Sequence, residues 1–119
     1  MITLIERVRD LLAGAAGAVF YFYPASWVNL PCVAWRESGN RELKQADGRE
    51  HLAELTYQVD VWAKTVEECR AAGDEIDRRM AAARFRRAYA ADLFETGARL
   101  YHRAMRYRAV ADEAGNIYQ

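Results

Sequence analysis

Between Leu55 and Ala63, apolar Leu55, Tyr57, Val59, Val61 and Ala63 alternate with polar Thr56, Gln58 and Asp60. That period of two predicts a strand with one face in the core. Trp62 breaks the rule by placing an aromatic on the polar face, so a helix, a loop or another chain must cover it. Thr65 stands three residues before Glu68, the spacing at which a hydroxyl caps the Glu68 N–H while the carboxylate reaches back. The strand therefore hands over directly to a helix. Val66, Cys69, Gly73, Ile76, Met80 and Ala83 continue at spacings of three and four, which predicts a helix over 66–83 whose apolar face is built mostly from small residues.

Towards the N-terminus, Thr3 and Glu6 repeat the capping spacing, and Leu4, Ile5, Val8, Leu11 and Leu12 form a helical stripe that Gly14 and Gly17 end. Ala18 to Tyr23 is an apolar run too short for a helix, which reads as a strand or extended segment covered on both sides. Pro24 and Pro31 bracket an extended connection, after which Cys32 to Trp35 resumes as a strand. Ser38, Gly39 and Asn40, then Asp47, Gly48 and Arg49, are turn formers around a polar stretch. This predicts a long hairpin arm, readable either as a solvated loop or as a binding surface. Arg84 to Glu95 fits helical spacing through Phe85, Tyr89 and Leu93 and strand alternation through Tyr89, Ala91 and Leu93. Periodicity leaves both open. Tyr101, Met105, Tyr107, Ala109 and Ala111 mark one strand face interrupted by Arg103, and Asp112 to Asn116 is a turn leading to a short terminal strand at Ile117 and Tyr118. The element order gives an α+β fold: two helices packed on a mostly antiparallel sheet, with a long hairpin arm between central strands.

A chain of 119 residues fits one domain, 1–119, and is large enough for a core without metal or disulfide staples. Cys32 and Cys69 are the only cysteines and have no metal-ligand spacing, so they read as small buried hydrophobes in a reducing compartment. Glu6, Arg7, Arg9 and Asp10 interrupt the first twelve residues, which excludes the apolar core of a signal peptide or a membrane span there. A soluble intracellular protein is expected, with no membrane partner.

The formal net charge is zero, which gives no global drive towards nucleic acid. Its distribution is uneven: between Arg70 and Arg108 stand ten arginines against five acids. Arg84, Arg86 and Arg87 fall close together, and Arg106 and Arg108 share a strand face with His102. A phosphate backbone could bind there, although no aromatic platforms are interleaved on that face and no nucleic-acid motif is present. Arg in place of Lys at 15 of the 17 basic positions suits protein interfaces equally well.

Catalytic patterns are missing. Gly14 and Gly17 follow a helix instead of leading into one, which argues against a phosphate loop. Ser26 and Ser38, the only serines, lie in no nucleophile-elbow pattern. His51 and His102 have no carboxylate placed by sequence to orient them, so both read as structural or surface histidines. The chain is therefore read as no enzyme, with no cofactor and no metal. A second reading is a small ligand-binding or enzymatic domain whose pocket is lined by Phe20 to Tyr23 with Trp27 and Trp35.

The Pro31-anchored strand, the polar arm, the run Tyr57 to Thr65 entering a helix, Phe85-Arg86-Arg87, Asp92-Leu93-Phe94-Glu95, Leu100 to Tyr107 and terminal Ile117-Tyr118 together resemble the tail-completion or tail-terminator proteins of long-tailed phages and prophages. The resemblance spans nearly the whole chain, and its motifs carry no catalytic residue. It implies a subunit of a ring, commonly a hexamer, that is made in the bacterial cytoplasm. In the virion tail or head–tail junction the ring caps the tail tube and docks it to the head connector, with DNA passing through its lumen. It also implies a strand from about Arg87 to Thr96. Under it, Trp62, Arg41, Lys44 and Arg49 become candidate interface residues, and Arg86, Arg87, Arg106 and Arg108 face either passing DNA or acids of the next subunit.

Overall fold

The computed structural model describes residues 1–118. The chain folds in the order α1 (Ile5–Leu12), β1 (Ala18–Tyr21), β2 (Cys32–Ala46), β3 (Arg49–Ala63), α2 (Val66–Ala82), β4 (Arg86–Glu95), β5 (Leu100–Asp112) and β6 (Ile117–Tyr118). The strands form one sheet in the order β1-β2-β3-β5-β4, with β6 added beside β5. Only β1 runs parallel to its neighbour; the other pairings are antiparallel. This is the expected α+β architecture, and β4 settles the Arg84 to Glu95 ambiguity as a strand.

The alternation that defines β3 divides the sheet into two unlike faces. Leu55, Tyr57, Val59, Val61 and Ala63 are fully buried beneath the helices. Val33 and Trp35 on β2, and Met105 and Tyr107 on β5, join them in register. From above, α2 contributes Cys69, Ile76 and Met80, and α1 contributes Val8 and Leu12. Gly73 lets α2 sit close over β5: a Cβ there would fall 2.8 Å from Cδ of Arg103. Arg79 ties the two helices together, its Nη1 donating to the carbonyls of Leu11 and Ala13 at 3.0 and 2.9 Å. Those carbonyls at the end of α1 would otherwise lack partners.

Capping follows expectation at α2 in its Thr65 half only, since the Glu68 carboxylate makes no return bond among the described residues. The Thr65 hydroxyl accepts from the Glu68 N–H at 3.1 Å. At α1 the N-cap position belongs to Leu4, which has no side-chain cap. The Thr3 hydroxyl donates to Glu37 on β2 at 2.6 Å and accepts from the Ile5 N–H at 3.3 Å, which orients it away from the Glu6 N–H that a capping box would engage. The expected Thr3–Glu6 capping box does not form.

Two further expectations change. The run Ala18 to Tyr23 forms a four-residue edge strand whose Val19 packs on the main core and whose Ala18 and Phe20 pack on a second cluster, but Tyr21 at its end and Phe22 and Tyr23 beyond it are more than half exposed, at 53, 60 and 56%. Cover on both faces thus holds from Ala18 to Phe20 and fails from Tyr21 onward. The Ser38-Gly39-Asn40 triplet does not turn the chain either. β2 passes through it with a shift of register between Glu37 and Gly39, a bulge that bends the arm without ending it. The turn comes at Asp47 and Gly48, with φ of 55° and 72°, the pair of positive angles that a two-residue hairpin loop requires. The arm is thus a paired two-stranded extension, and it accounts for much of the 51 Å long axis of a molecule only 24 by 22 Å across.

Candidate functional site

The face of the sheet turned away from the helices carries the polar residues of β3, and cross-strand register fixes what lies beside each. Trp62 pairs with Cys32 and His102, Asp60 with Ala34 and Ala104, Gln58 with Arg36 and Arg106, and Thr56 with Arg108. On β4, Leu93, Ala91, Tyr89 and Arg86 extend these rows from His102, Ala104, Arg106 and Arg108. The face therefore grades from an aromatic end at Trp62 to a cationic end at Arg86 and Arg108.

At the aromatic end, the connection after β1 folds over the sheet. Trp27 and Tyr23 meet the Trp62 ring edge-on at 5.4 and 5.7 Å, and Phe20, Leu30, Cys32 and Leu100 complete a second small core. Trp62 is thereby reduced to 3% exposure. Its cover is a loop of its own chain, one of the three covers open from sequence. Trp35, by contrast, lies under the helices, so the aromatic residues proposed to line one pocket are divided between opposite faces of the sheet.

His102 stacks on Trp62 with centroids 4.5 Å apart and planes 18° from parallel. Its Nε2–H donates to Asp60 Oδ1 at 2.7 Å, and the Gln58 amide donates to the same oxygen at 3.2 Å. The expectation that no carboxylate orients His102 is corrected: Asp60 does so from the adjacent strand, a relation visible only once the β3–β5 register is known. The pair is mostly buried and anchors the edge of the second core. Cys69 does not supply a nucleophile beside it. Burial pushes its thiol up to about 11, and Sγ donates weakly to the Val61 carbonyl at 3.7 Å. Burial likewise raises Cys32 to about 11. Among the described residues, no group of three or more His, Cys, Asp or Glu side chains is placed to hold a metal ion.

The arginines separate into two classes. Arg87 bonds Asp77 on α2 at 3.2 Å, Arg103 and Arg70 share Asp92 at 3.1 and 3.7 Å, and Arg78 and Arg79 share Glu75. These link the helix layer to itself or to the sheet. Arg36, Arg86, Arg106 and Arg108 lie on the open face and make no ion pair among the described residues. Arg106 stacks over the Tyr89 ring at 4.5 Å, and Arg36 over Phe22 at 5.4 Å. Aromatic rings are thus interleaved with the basic face after all, supplied by β4 and the β1 edge. Of the four grouped candidates, Arg86, Arg106 and Arg108 come together while Arg87 turns to the helix side. On the arm, Arg41 pairs with Glu54 at 3.2 Å and Arg49 with Glu113 at 2.8 Å, and Lys44 is exposed.

Apart from Met1, Val28, Leu43 and Tyr118, the large exposed apolar groups gather towards the two sides of the sheet. Leu93 and Phe94 on β4 are each 50% exposed, beside Tyr89 and Tyr101. Phe94 meets Tyr101 edge-on at 5.3 Å. At the far edge stand Tyr21 and Phe22. The geometry offers surfaces for association more plainly than it offers a reaction centre.

A family model described as tail completion protein gp17 matches residues 3–112, which takes in both helices and β1 to β5. The chain belongs to this phage tail-completion family. Its role in the family is structural, and the resemblance drawn from sequence is the correct one. A search of curated proteins finds no match. No helix among the described residues of this tail-completion protein is long and apolar enough to cross a membrane.

Proposed function

We propose that the chain is a single-domain, ring-forming subunit, a hexamer when assembled, that caps the tail tube and joins it to the head connector. It acts at the head–tail junction of the virion after synthesis in the bacterial cytoplasm, and its partners are further copies of itself, the tail-tube protein and the connector.

The observation that carries this reading is the pair of unlike sheet edges. β4, ten residues long, pairs on one side only among the described residues and leaves its outward-facing N–H and C=O groups open, with Leu93 and Phe94 exposed beside them, while the opposite edge presents β1 with Tyr21 and Phe22. Open edges bearing apolar side chains are association sites unless something covers them. Because the two edges differ, contact between one copy's β4 and another's β1 side is head-to-tail. Contacts of that kind close into rings when the rotation permits. The arm, with Arg41, Lys44 and Arg49 on its surface, supplies a lever reaching beyond the sheet towards a neighbour or the tube.

Light scattering with negative-stain microscopy over a concentration series tests the proposal. Closed rings of uniform size, alone or in the presence of tail-tube protein, support it. A species that stays monomeric at every concentration and with tube protein present overturns it.

A further inference from the structure

The open sheet face contains an arrangement that folding does not account for. Arg86 and Arg108 are direct cross-strand partners on adjacent strands, about 4.8 Å apart in backbone spacing. Like charges placed directly opposite destabilise a sheet. No carboxylate relieves this pair among the described residues: the nearest acid in register, Glu54, is held by Arg41 at 3.2 Å. Two residues along β5, roughly 6.7 Å away by strand geometry, Arg106 continues the row, stacked on Tyr89. Arg36 extends it across Gln58 onto β2. Arg86 and Arg108 also open onto a hollow of about 280 Å³, which Glu54, Arg87 and Tyr118 help to line.

We propose that this face binds the sugar–phosphate backbone of duplex DNA without reading its sequence. The guanidinium groups are spread along two strands and across the sheet instead of converging on one point, which suits a repeated anion better than a single small ligand. Planar guanidinium forks match phosphate oxygens in bidentate fashion. An acidic protein partner fits less well, because protein interfaces have an apolar centre depleted of charge. Here the large exposed apolar groups lie mostly towards the two sides of the sheet, and Thr56, Gln58 and arginines fill the middle. A polar, cationic and hydrated patch is the character of a protein–DNA surface. The contact does not depend on ring formation, since all four arginines belong to one subunit.

The test is fluorescence anisotropy with a labelled mixed-sequence duplex over ~50 to ~200 mM salt, on the full chain and on Arg86→Gln/Arg108→Gln, with Arg9→Gln/Arg70→Gln as a charge-matched control on the helix side. Four phosphate contacts give a log–log salt slope of about −3.6, and the open-face variant flattens it by about 2 and weakens binding at least tenfold, whereas the control matches the parent chain. Thermal denaturation of the same proteins gives an independent readout. Removing opposed like charges leaves the melting temperature of the open-face variant equal or higher. Equal losses of binding in both double variants, no binding at low salt, or a lowered melting temperature in the open-face variant each overturn the proposal. Displacement of the duplex by poly-glutamate as readily as by unlabelled duplex also overturns it, in favour of an acidic protein surface. Light scattering on the same samples keeps the two questions separate: a monomer that binds DNA upholds this inference and counts against the ring, and a ring that does not bind does the reverse.

Discussion

His102 lies flat against Trp62, and its Nε2–H meets Asp60 on the strand where Trp62 itself resides. One imidazole thus covers an aromatic and satisfies a buried carboxylate, joining β3 to β5 at the place where the loop after β1 closes over the sheet. This small second core keeps the aromatic end of the open face dry and leaves the arginine end exposed.

The cover over Trp62 comes from the same chain, so its loss acts on folding. Trp62→Ala is expected to destabilise the monomer by about 3–5 kcal/mol, read by urea denaturation. The indole Nε1–H is buried without a partner among the described residues, so Trp62→Phe loses no hydrogen bond seen there and retains most of the stability. An alanine variant with unchanged stability that fails only in assembly would show that a neighbouring subunit supplies the effective cover.

Tyr57 makes a second junction. Its hydroxyl donates to Glu37 at 2.8 Å and accepts from the Leu4 N–H at 2.9 Å, and burial drives its pKa well above the ordinary tyrosine value. Tyr57→Phe removes one acceptor and leaves a buried amide unsatisfied, a cost of about 1–3 kcal/mol. Hydrogen exchange should accelerate at Leu4 and along α1 before the sheet is affected. Uniform acceleration across the sheet would contradict a local role.

Much of this architecture was legible in the sequence where periodicity was strong. β3 and α2 follow from alternation and from three-and-four spacing, and Thr65 marks their boundary. The edge character of β1 was hidden because Ala18 to Tyr23 looks the same whether one neighbour or two lie beside it. Likewise, Ser38-Gly39-Asn40 has the composition of a turn, but pairing across the bulge to Thr56 and Leu55 carries the strand onward. The site was only partly readable. Arg86, Arg106 and Arg108 could be grouped by position, whereas the separation of Arg87 depends on Asp77 of α2, and the Asp60–His102 pair depends on register between strands 42 residues apart.

The terminal clasp is sensitive to acid. Asp112 accepts from the Tyr118 hydroxyl at 2.7 Å and from the Asn116 side-chain and backbone N–H groups. The Tyr118 bond, followed by those from Asn116, lowers its pKa to about 2. A depressed carboxylate stabilises the fold above its unfolded value of about 3.9 and loses that contribution as pH falls through the folded value. Between about pH 4 and pH 2 the Tyr118 ring signals should therefore shift towards random-coil positions, while Asp112→Asn shows no such transition in that window. Identical titration of the two proteins would refute the clasp.

The β4 edge should separate folding from assembly. Phe94 is half exposed and meets Tyr101 edge-on, so Phe94→Asp is expected to cost the monomer about 1–2 kcal/mol without unfolding it, while a charge placed on an apolar edge opposes association. Light scattering should show a folded monomer where the parent chain oligomerises. A variant that assembles as the parent does would remove β4 from the subunit contact.

The most direct measurement is electron microscopy of tubes grown from the tail-tube protein, incubated with this chain carrying a visible tag. Label confined to tube ends, with tube elongation stopped, is the predicted result. Label along the tube walls, or none at the ends while the tubes continue to grow, would contradict the proposed role as the subunit that completes the tail.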